Sequence, residues 1–226
     1  MQYTLIRSKR KTLSIHIKDT GVEVRAPLKM PGRDIEFFVA SKEKWIADKL
    51  AQLQERSKHR ELFKLSYGEE IMLRGTQRTI TASSEVPRGF DDKSLYLPPG
   101  LTANQIKSAC VELYKKTAGD YLRERVGLYS KKLGVSPEIV RINGAKKRWG
   151  SCSSKKNINF SWRLIMADDE VIDYVVVHEL SHLSQMNHSA RFWLIVERIL
   201  PDFRERRQRL KELGDKLGAE DWGEGN

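Results

Sequence analysis

An α+β fold is predicted by three features of this chain. Two stretches, Leu13 to Ile17 and Asn157 to Trp162, alternate apolar and polar residues with the period of a half-buried strand. Other stretches carry apolar residues at helical spacing. Pro98-Pro99-Gly100 is the clearest punctuation in the chain, with a β-rich part before it and a helical part after it.

The first 27 residues read as strands. Leu13, Ile15 and Ile17 give way at Asp19-Thr20-Gly21, a turn signal, to Val22 and Val24, and Pro27 closes the hairpin. A further strand is expected at Tyr3 to Arg7. Ile35, Phe38, Val39, Ile46, Leu50 and Leu53 then predict one helix from Arg33 to about Arg56, with Trp45 packed on the strands and Ser57 to Arg60 as a polar linker. Residues 61–97 look β-rich again, with short strands near Ile71, Thr79 and Leu95.

Thr102 followed by Gln105 is a capping-box start. A long helix follows it to about Leu133, where Gly134 is a stop. Ile139 to Ile142 and Asn157 to Trp162 are strands on either side of Lys146-Lys147-Arg148-Trp149-Gly150-Ser151-Cys152. Asp168 is a good N-cap for a helix reaching to about Ser184, and Ser189 suits the start of another. Residues 1–100 are therefore expected as a β-rich N-terminal part with one helix, and 101–213 as a second, helical part that carries the site. Residues 214–226, with Gly214 and Gly218, are expected as a flexible tail.

Composition narrows the setting. Lys and Arg number 41 against 30 Asp and Glu, a net charge of +11. That balance suits either an anionic partner, including weak nucleic-acid contact through the basic surface, or simply a self-repelling soluble surface. The two cysteines, Cys110 and Cys152, make no disulfide framework. No run is apolar enough to span a membrane, and the first residues carry no apolar secretory segment. A cytoplasmic protein is expected.

Three of the five histidines fall between positions 178 and 188, in H-E-L-S-H-L-S-Q-M-N-H. On a helix, residues four apart differ by about 40° in direction and about 6 Å along the axis, so His178 and His182 can aim at one ion. One Zn2+ per chain is the expected cofactor, since it accepts neutral imidazole and works with three protein ligands. Glu179 is the expected catalytic carboxylate, on the flank of that face. His188 can be the third ligand only if the helix ends before it, since an unbroken helix would carry it about 9 Å past His182. Asn187 is the residue best able to take a left-handed turn there. Glu197 on the following helix is an alternative third ligand, and a buried histidine trio without metal is the bland reading. Arg148, Trp149, Ser151 and Asn159 are candidate substrate-binding residues. Tyr174, one turn before His178, either supports that histidine or packs in the core.

R-x-x-R-K-T-L-S-I at Arg7 to Ile15 and V-R-A-P at Val24 to Pro27 carry a resemblance, together with R-W-G-S-C at 148–152, W-R-L at 162–164, Y-V-V-V-H-E-L-S-H at 174–182 and N-H-S-x-x-F-W at 187–193. The chain resembles the YgjP-like metallopeptidase family of zincin-type metal-dependent hydrolases, and is more distantly similar to SprT-like and Wss1-like DNA-associated proteases. The resemblance implies His178, His182 and His188 as zinc ligands, Glu179 as the catalytic carboxylate, and a zincin-like core with a mixed sheet over two site helices. The histidine spacing equals that of metzincins, but Gln185 stands where they have Gly.

A zinc metallopeptidase is the favoured function, with strand 157–162 holding an extended peptide by β-augmentation. A metal-dependent hydrolase of nucleotide phosphoanhydrides is the alternative, favoured by charge but lacking a P-loop pattern and a carboxylate cluster for Mg2+. A nucleic-acid-associated module with a structural metal is a third, opposed by Glu179 and by the want of a fourth ligand. The expected substrate is accordingly a peptide or a nucleotide.

Overall fold

The computed structural model describes residues 2–18 and 20–223, so Asp19 of the expected turn and the last three residues of the expected tail lie outside it. The chain divides into two compact units, Met1–Phe63 and Lys64–Asn226. The division therefore falls well before Pro98-Pro99-Gly100.

The first unit holds strands β1 (Thr4–Ser8), β2 (Ser14–Lys18) and β3 (Gly21–Pro27) in the order β1-β3-β2. The β2–β3 pairing is the expected antiparallel hairpin, and β1 runs parallel to β3. On one face Val22, Val24 and Ala26 pack with Ile35, Val39 and Ile46. Those last three sit on two helices, α1 (Gly32–Ser41) and α2 (Glu43–Leu62), where the spacing predicts one. The chain departs from helical geometry at Lys42, φ −110° and ψ 9°. Helix α2 runs through Ser57–Arg60 to Leu62, and Trp45 is 44% exposed rather than packed away.

The second unit carries all the site chemistry. Four strands, β4 (Glu70–Leu73), β5 (Thr76–Ala82), β6 (Gly89–Phe90) and β7 (Ser94–Leu97), form a mixed sheet in the order β4-β5-β7-β6. This sheet belongs with the helical half for a concrete reason. On helix α3 (Ala103–Leu133), the Tyr114 hydroxyl donates to the Met72 carbonyl at 2.7 Å, and its ring lies 5.6 Å from that of Phe90. Pro98-Pro99-Gly100 is a loop within this unit, its Pro98 carbonyl accepting from the Tyr67 hydroxyl. Helix α3 opens with the expected Thr102–Gln105 capping box and closes at Gly134, φ 65°.

Strands β8 (Ile139–Asn143), β9 (Gly150–Cys152) and β10 (Asn157–Ser161) form a second mixed sheet with β10 in the middle. A short 3-10 helix, Trp162–Met166, leads into α4 (Asp169–Ser181). Asp168 caps α4, accepting from the Val171 amide at 3.0 Å. The β4–β5 turn, Arg74-Gly75, has positive φ at both residues, as a tight hairpin turn demands. It presses on this cap: a Cβ on Gly75 would meet the Asp168 Cβ at 2.7 Å, while the Arg74 guanidinium forks onto Asp169 at 2.8 and 2.5 Å.

Helices α5 (Ala190–Ile199) and α6 (Phe203–Leu217) complete the unit. Gly214 lies inside α6, and Trp222 beyond it is only 4% exposed, edge-on to Tyr114 and Trp162 at 5.6 and 6.0 Å. The chain thus stays packed through Trp222. The aromatic ring that achieves this stands in a stretch rich in Gly and acidic residues, whose composition points to a loose end. Among the described residues no helix is long and apolar enough to cross a membrane.

Candidate metal centre

Helix α4 is apolar almost all round, with Val175, Val176, Val177 and Leu180 buried, so its polar side chains are held in a dry setting. It is fixed to α3 by a buried network: Arg125 forks onto Asp173 with two bonds of 2.7 Å, and the Tyr129 hydroxyl donates to the same carboxylate at 2.7 Å. This anchor faces one side of α4, and His178 and His182 face another.

The helix ends at Ser181, short of Ser184, and His182 is its C-cap. A turn then brings His188 back. The chain makes it without a left-handed residue at Asn187, since Arg74 and Lys156 are the non-glycine residues with positive φ. Asn187 works through its side chain instead: its Oδ1 accepts from the Ser189 amide at 3.3 Å and from Gln185 Nε2 at 2.9 Å. Helix α5 starts directly afterwards.

The outcome is a cluster in which His178, His182 and His188 offer ligand atoms all within 4.8 Å of one another. His178 Nε2 and His188 Nε2 stand 3.1 Å apart. Two such nitrogens face each other at that range only with a proton or a cation between them. Nitrogens bound tetrahedrally at 2.0–2.1 Å would be about 3.3 Å apart, so the pair fits a small ion. His182 Nδ1 donates to the Gln185 carbonyl at 3.1 Å, which leaves its other nitrogen free to ligate. Phe192 lies against all three rings, with centroids 4.9, 4.6 and 4.8 Å away, and Trp193 stacks on His188 at 5.7 Å. Tyr174 meets His178 edge-on at 5.9 Å.

Electrostatics in this pocket favour neutral imidazole. Burial above all, then the neighbouring His182 and His188 and the Arg207 charge, hold His178 down to about 3. His182 is also lowered, mainly by burial. Neutral imidazole is the form that binds a metal. Glu197 is not part of the cluster and pairs with Arg204 at 2.8 Å, whereas His188 is one of its three members.

Glu179 is 6% exposed, and burial raises its carboxyl to about 7, opposed by the Arg148 charge. Its side chain lies flat against β9. A Cβ on Gly150 would sit 2.6 Å from Glu179 Cγ and 2.6 Å from Oε1, so only glycine lets the strand and the carboxylate approach this closely.

The model of the YgjP-like metallopeptidase domain matches residues 11–213. The chain belongs to the YgjP-like metallopeptidase family. It is therefore a metal-dependent hydrolase of peptidase type, and its histidine trio is a donor set of the kind that such an enzyme needs. The metallopeptidase zymogen abylysin of Pyrococcus abyssi is 25% identical over 40% of this chain and 92% of its own, at a TM-score of 0.38. The metallopeptidase zymogen jannalysin of Methanocaldococcus jannaschii is 20% identical over 40% and 94%, at 0.37. The curated proteins include no significant match.

The expected substrate residues of this YgjP-like chain divide. Arg148 is exposed and close enough for its charge to act on Glu179. Trp149 borders a groove along α6. Ser151 and Asn159 are register partners, and neighbouring Gly150 and Cys152 face α4. Side chains alternate along a strand, so Ser151 and Asn159 point to the opposite face and are not brought to Glu179. Strand β10 pairs with β8 on one side and β9 on the other, so it has no edge to offer a peptide. The open edge beside Glu179 belongs to β9. Gly150 and Phe192 are not marked as site residues by any local pattern in the sequence. R-W-G-S-C and N-H-S-x-x-F-W contain them, but only the packing gives each its place.

Proposed function

We propose that this chain is a zinc-dependent peptidase in which His178, His182 and His188 hold one ion and Glu179 is the general base. The packing of the Glu179 carboxylate against Gly150 carries this reading. It sets a buried proton acceptor beside the three imidazoles and along the open edge of β9. Zinc, when bound there, supplies Lewis acidity for a substrate carbonyl and for a water.

The protein's own residues do the remainder. An extended peptide adding to β9 would be held by main-chain hydrogen bonds. Glu179 takes a proton from the attacking water at a carboxylate oxygen and passes it to the departing amine. A carboxyl raised to about 7 by burial exchanges protons readily near neutral pH. The Arg148 guanidinium, exposed beside it, is placed to balance negative charge as it develops.

The test compares metal-loaded wild type with Glu179→Gln on casein-derived peptides and on a panel of nucleoside triphosphates, with zinc content measured first. Peptide cleavage is expected, falling by about 10²–10⁴-fold in the variant, with close to one zinc retained per chain. Release of phosphate or pyrophosphate, lost in the variant while every peptide stays intact, would assign the site to phosphoanhydride chemistry instead.

A further inference from the structure

The basic run on α6 is not a uniform solvated face. Of its five cations, three are committed to carboxylates: Arg204 to Glu197, Arg206 to Asp202, and Arg209 to both Asp168 and Glu170. For Arg207 and Lys211, one helical turn apart and both exposed, no carboxylate partner occurs among the described residues. Both line a groove of about 550 Å³ together with Trp149, Arg204, Gln208 and Leu210. Gln208 is itself engaged, donating to Glu212 at 2.9 Å.

The groove adjoins the histidine cluster by two routes. The Arg207 guanidinium lies over the Trp193 ring at 5.6 Å, and that ring stacks on His188. On the other wall, Trp149 directly precedes Gly150, which abuts Glu179. The Trp149 ring packs on α6 at Gly214, its edge 3.5 Å from where a Cβ would be, which is ordinary van der Waals contact. Two uncommitted cations, one of them pre-oriented on an aromatic ring, stand in a concave site next to the reacting centre. Such a site suits a carboxylate, with the guanidinium able to fork onto both oxygens.

We propose that Arg207 and Lys211, walled by Trp149, form a substrate subsite that selects peptides carrying an acidic side chain near the scissile bond. The proposal rests on the peptidase reading above and adds the substrate class. The Trp149 ring packs on the peptide stem while the two cations bind the carboxylate. Nothing in the subsite takes part in the bond-breaking step, so these are specificity residues.

Three peptides of one sequence, differing only in carrying Asp-Glu, Asn-Gln or Lys-Lys on either side of the cleavage point, form the probe set. Wild type should cut the acidic peptide with kcat/KM at least tenfold above the amide peptide, mostly through KM. That ratio should fall to about one in Arg207→Ala/Lys211→Ala, and Arg207→Glu/Lys211→Glu should favour the lysine peptide. Lys131→Glu/Lys132→Glu on α3 changes net charge equally and should keep the wild-type ratio; if it collapses the ratio as well, overall charge is the cause and the subsite is overturned. Binding of the same peptides, dye-labelled, to metal-loaded Glu179→Gln protein gives a readout free of turnover. If no peptide is cut yet the acidic one binds tenfold tighter and loses this on Arg207→Glu, the subsite stands and the peptidase reading falls. Equal cleavage of all three peptides, or equal binding to the Glu179→Gln protein, overturns the subsite.

Discussion

Glu179 and Gly150 are best understood as one unit. The carboxylate is buried against β9 at the one position, Gly150, that has no side chain to push it away. Gly150→Ala should therefore displace the carboxylate and lower kcat by roughly 10–100-fold, since a shift of about 1 Å at a catalytic group is costly. Zinc content should be unchanged, as measured on the purified variant. Full activity in Gly150→Ala would show that the carboxylate has room to spare. The same burial has a cost visible in metal-free protein. Glu179 ionises near its ordinary value of 4.5 when unfolded but near 7 when folded. Stability present below pH 4.5 is then lost progressively as pH rises through 7, amounting to about 3 kcal/mol beyond it. Chelated Glu179→Gln should be more stable than chelated wild type at pH 8 by that order, and indistinguishable from it at pH 4. Urea unfolding at the two pH values checks the sign, and equal midpoints at pH 8 would exclude a buried, ionised carboxylate.

Helix α4 is an element positioned from both ends and one side. Asp168 caps its start beneath the Arg74-Gly75 turn, and Asp173 ties its middle to Arg125 and Tyr129 on α3. Removing one partner from a buried, bidentate pair leaves an uncompensated charge. Asp173→Ala should cost about 3 kcal/mol, read from denaturant unfolding, and should weaken zinc retention although the residue touches no histidine. A loss below about 0.5 kcal/mol would mean that α4 is held by apolar packing alone. At its C-terminal end the helix stops at Ser181, and the turn that follows decides whether three histidines meet. That turn is stabilised by the Asn187 side chain and the Gln185 carbonyl, not by a left-handed residue.

At the scale of the molecule, the second unit is closed by the last described residues. Trp222 stands edge-on to the stacked pair Tyr114 and Trp162, one from the middle of α3 and one from the strand–helix junction that leads to the histidines. Trp222→Ala should cost about 3 kcal/mol, as large-to-small changes at buried aromatics do, and lower Tm by roughly 6–12 °C for a unit of this size. A change under 2 °C in differential scanning calorimetry would restore the loose-tail expectation. The net charge of +11 is likewise not spread evenly in effect. Much of it on α6 is neutralised by named carboxylates, which is why two cations stand out.

Local patterns in the chain were enough to place the α+β class, both strands of the first hairpin, the capping box at Thr102, the stop at Gly134, the Asp168 cap and a break between His182 and His188. Each depends on residues close in sequence, where period, caps and turn chemistry act directly. The same holds for the histidine cluster, since H-E-x-x-H places two donors by helix geometry alone. Tertiary contacts decided what lies far apart in the chain. The β-rich segment 70–97 joins the helical half because Tyr114 reaches Met72, and the chain stays packed as far as Trp222 because that ring finds two others more than 50 residues away. Strand order made β9, not β10, the open edge beside Glu179, and pleating turned Ser151 and Asn159 away from it. Periodicity tells which residues share a face of one element. It carries no information on which element that face will meet, and the site's inner wall of Gly150 and Phe192 is made by such meetings.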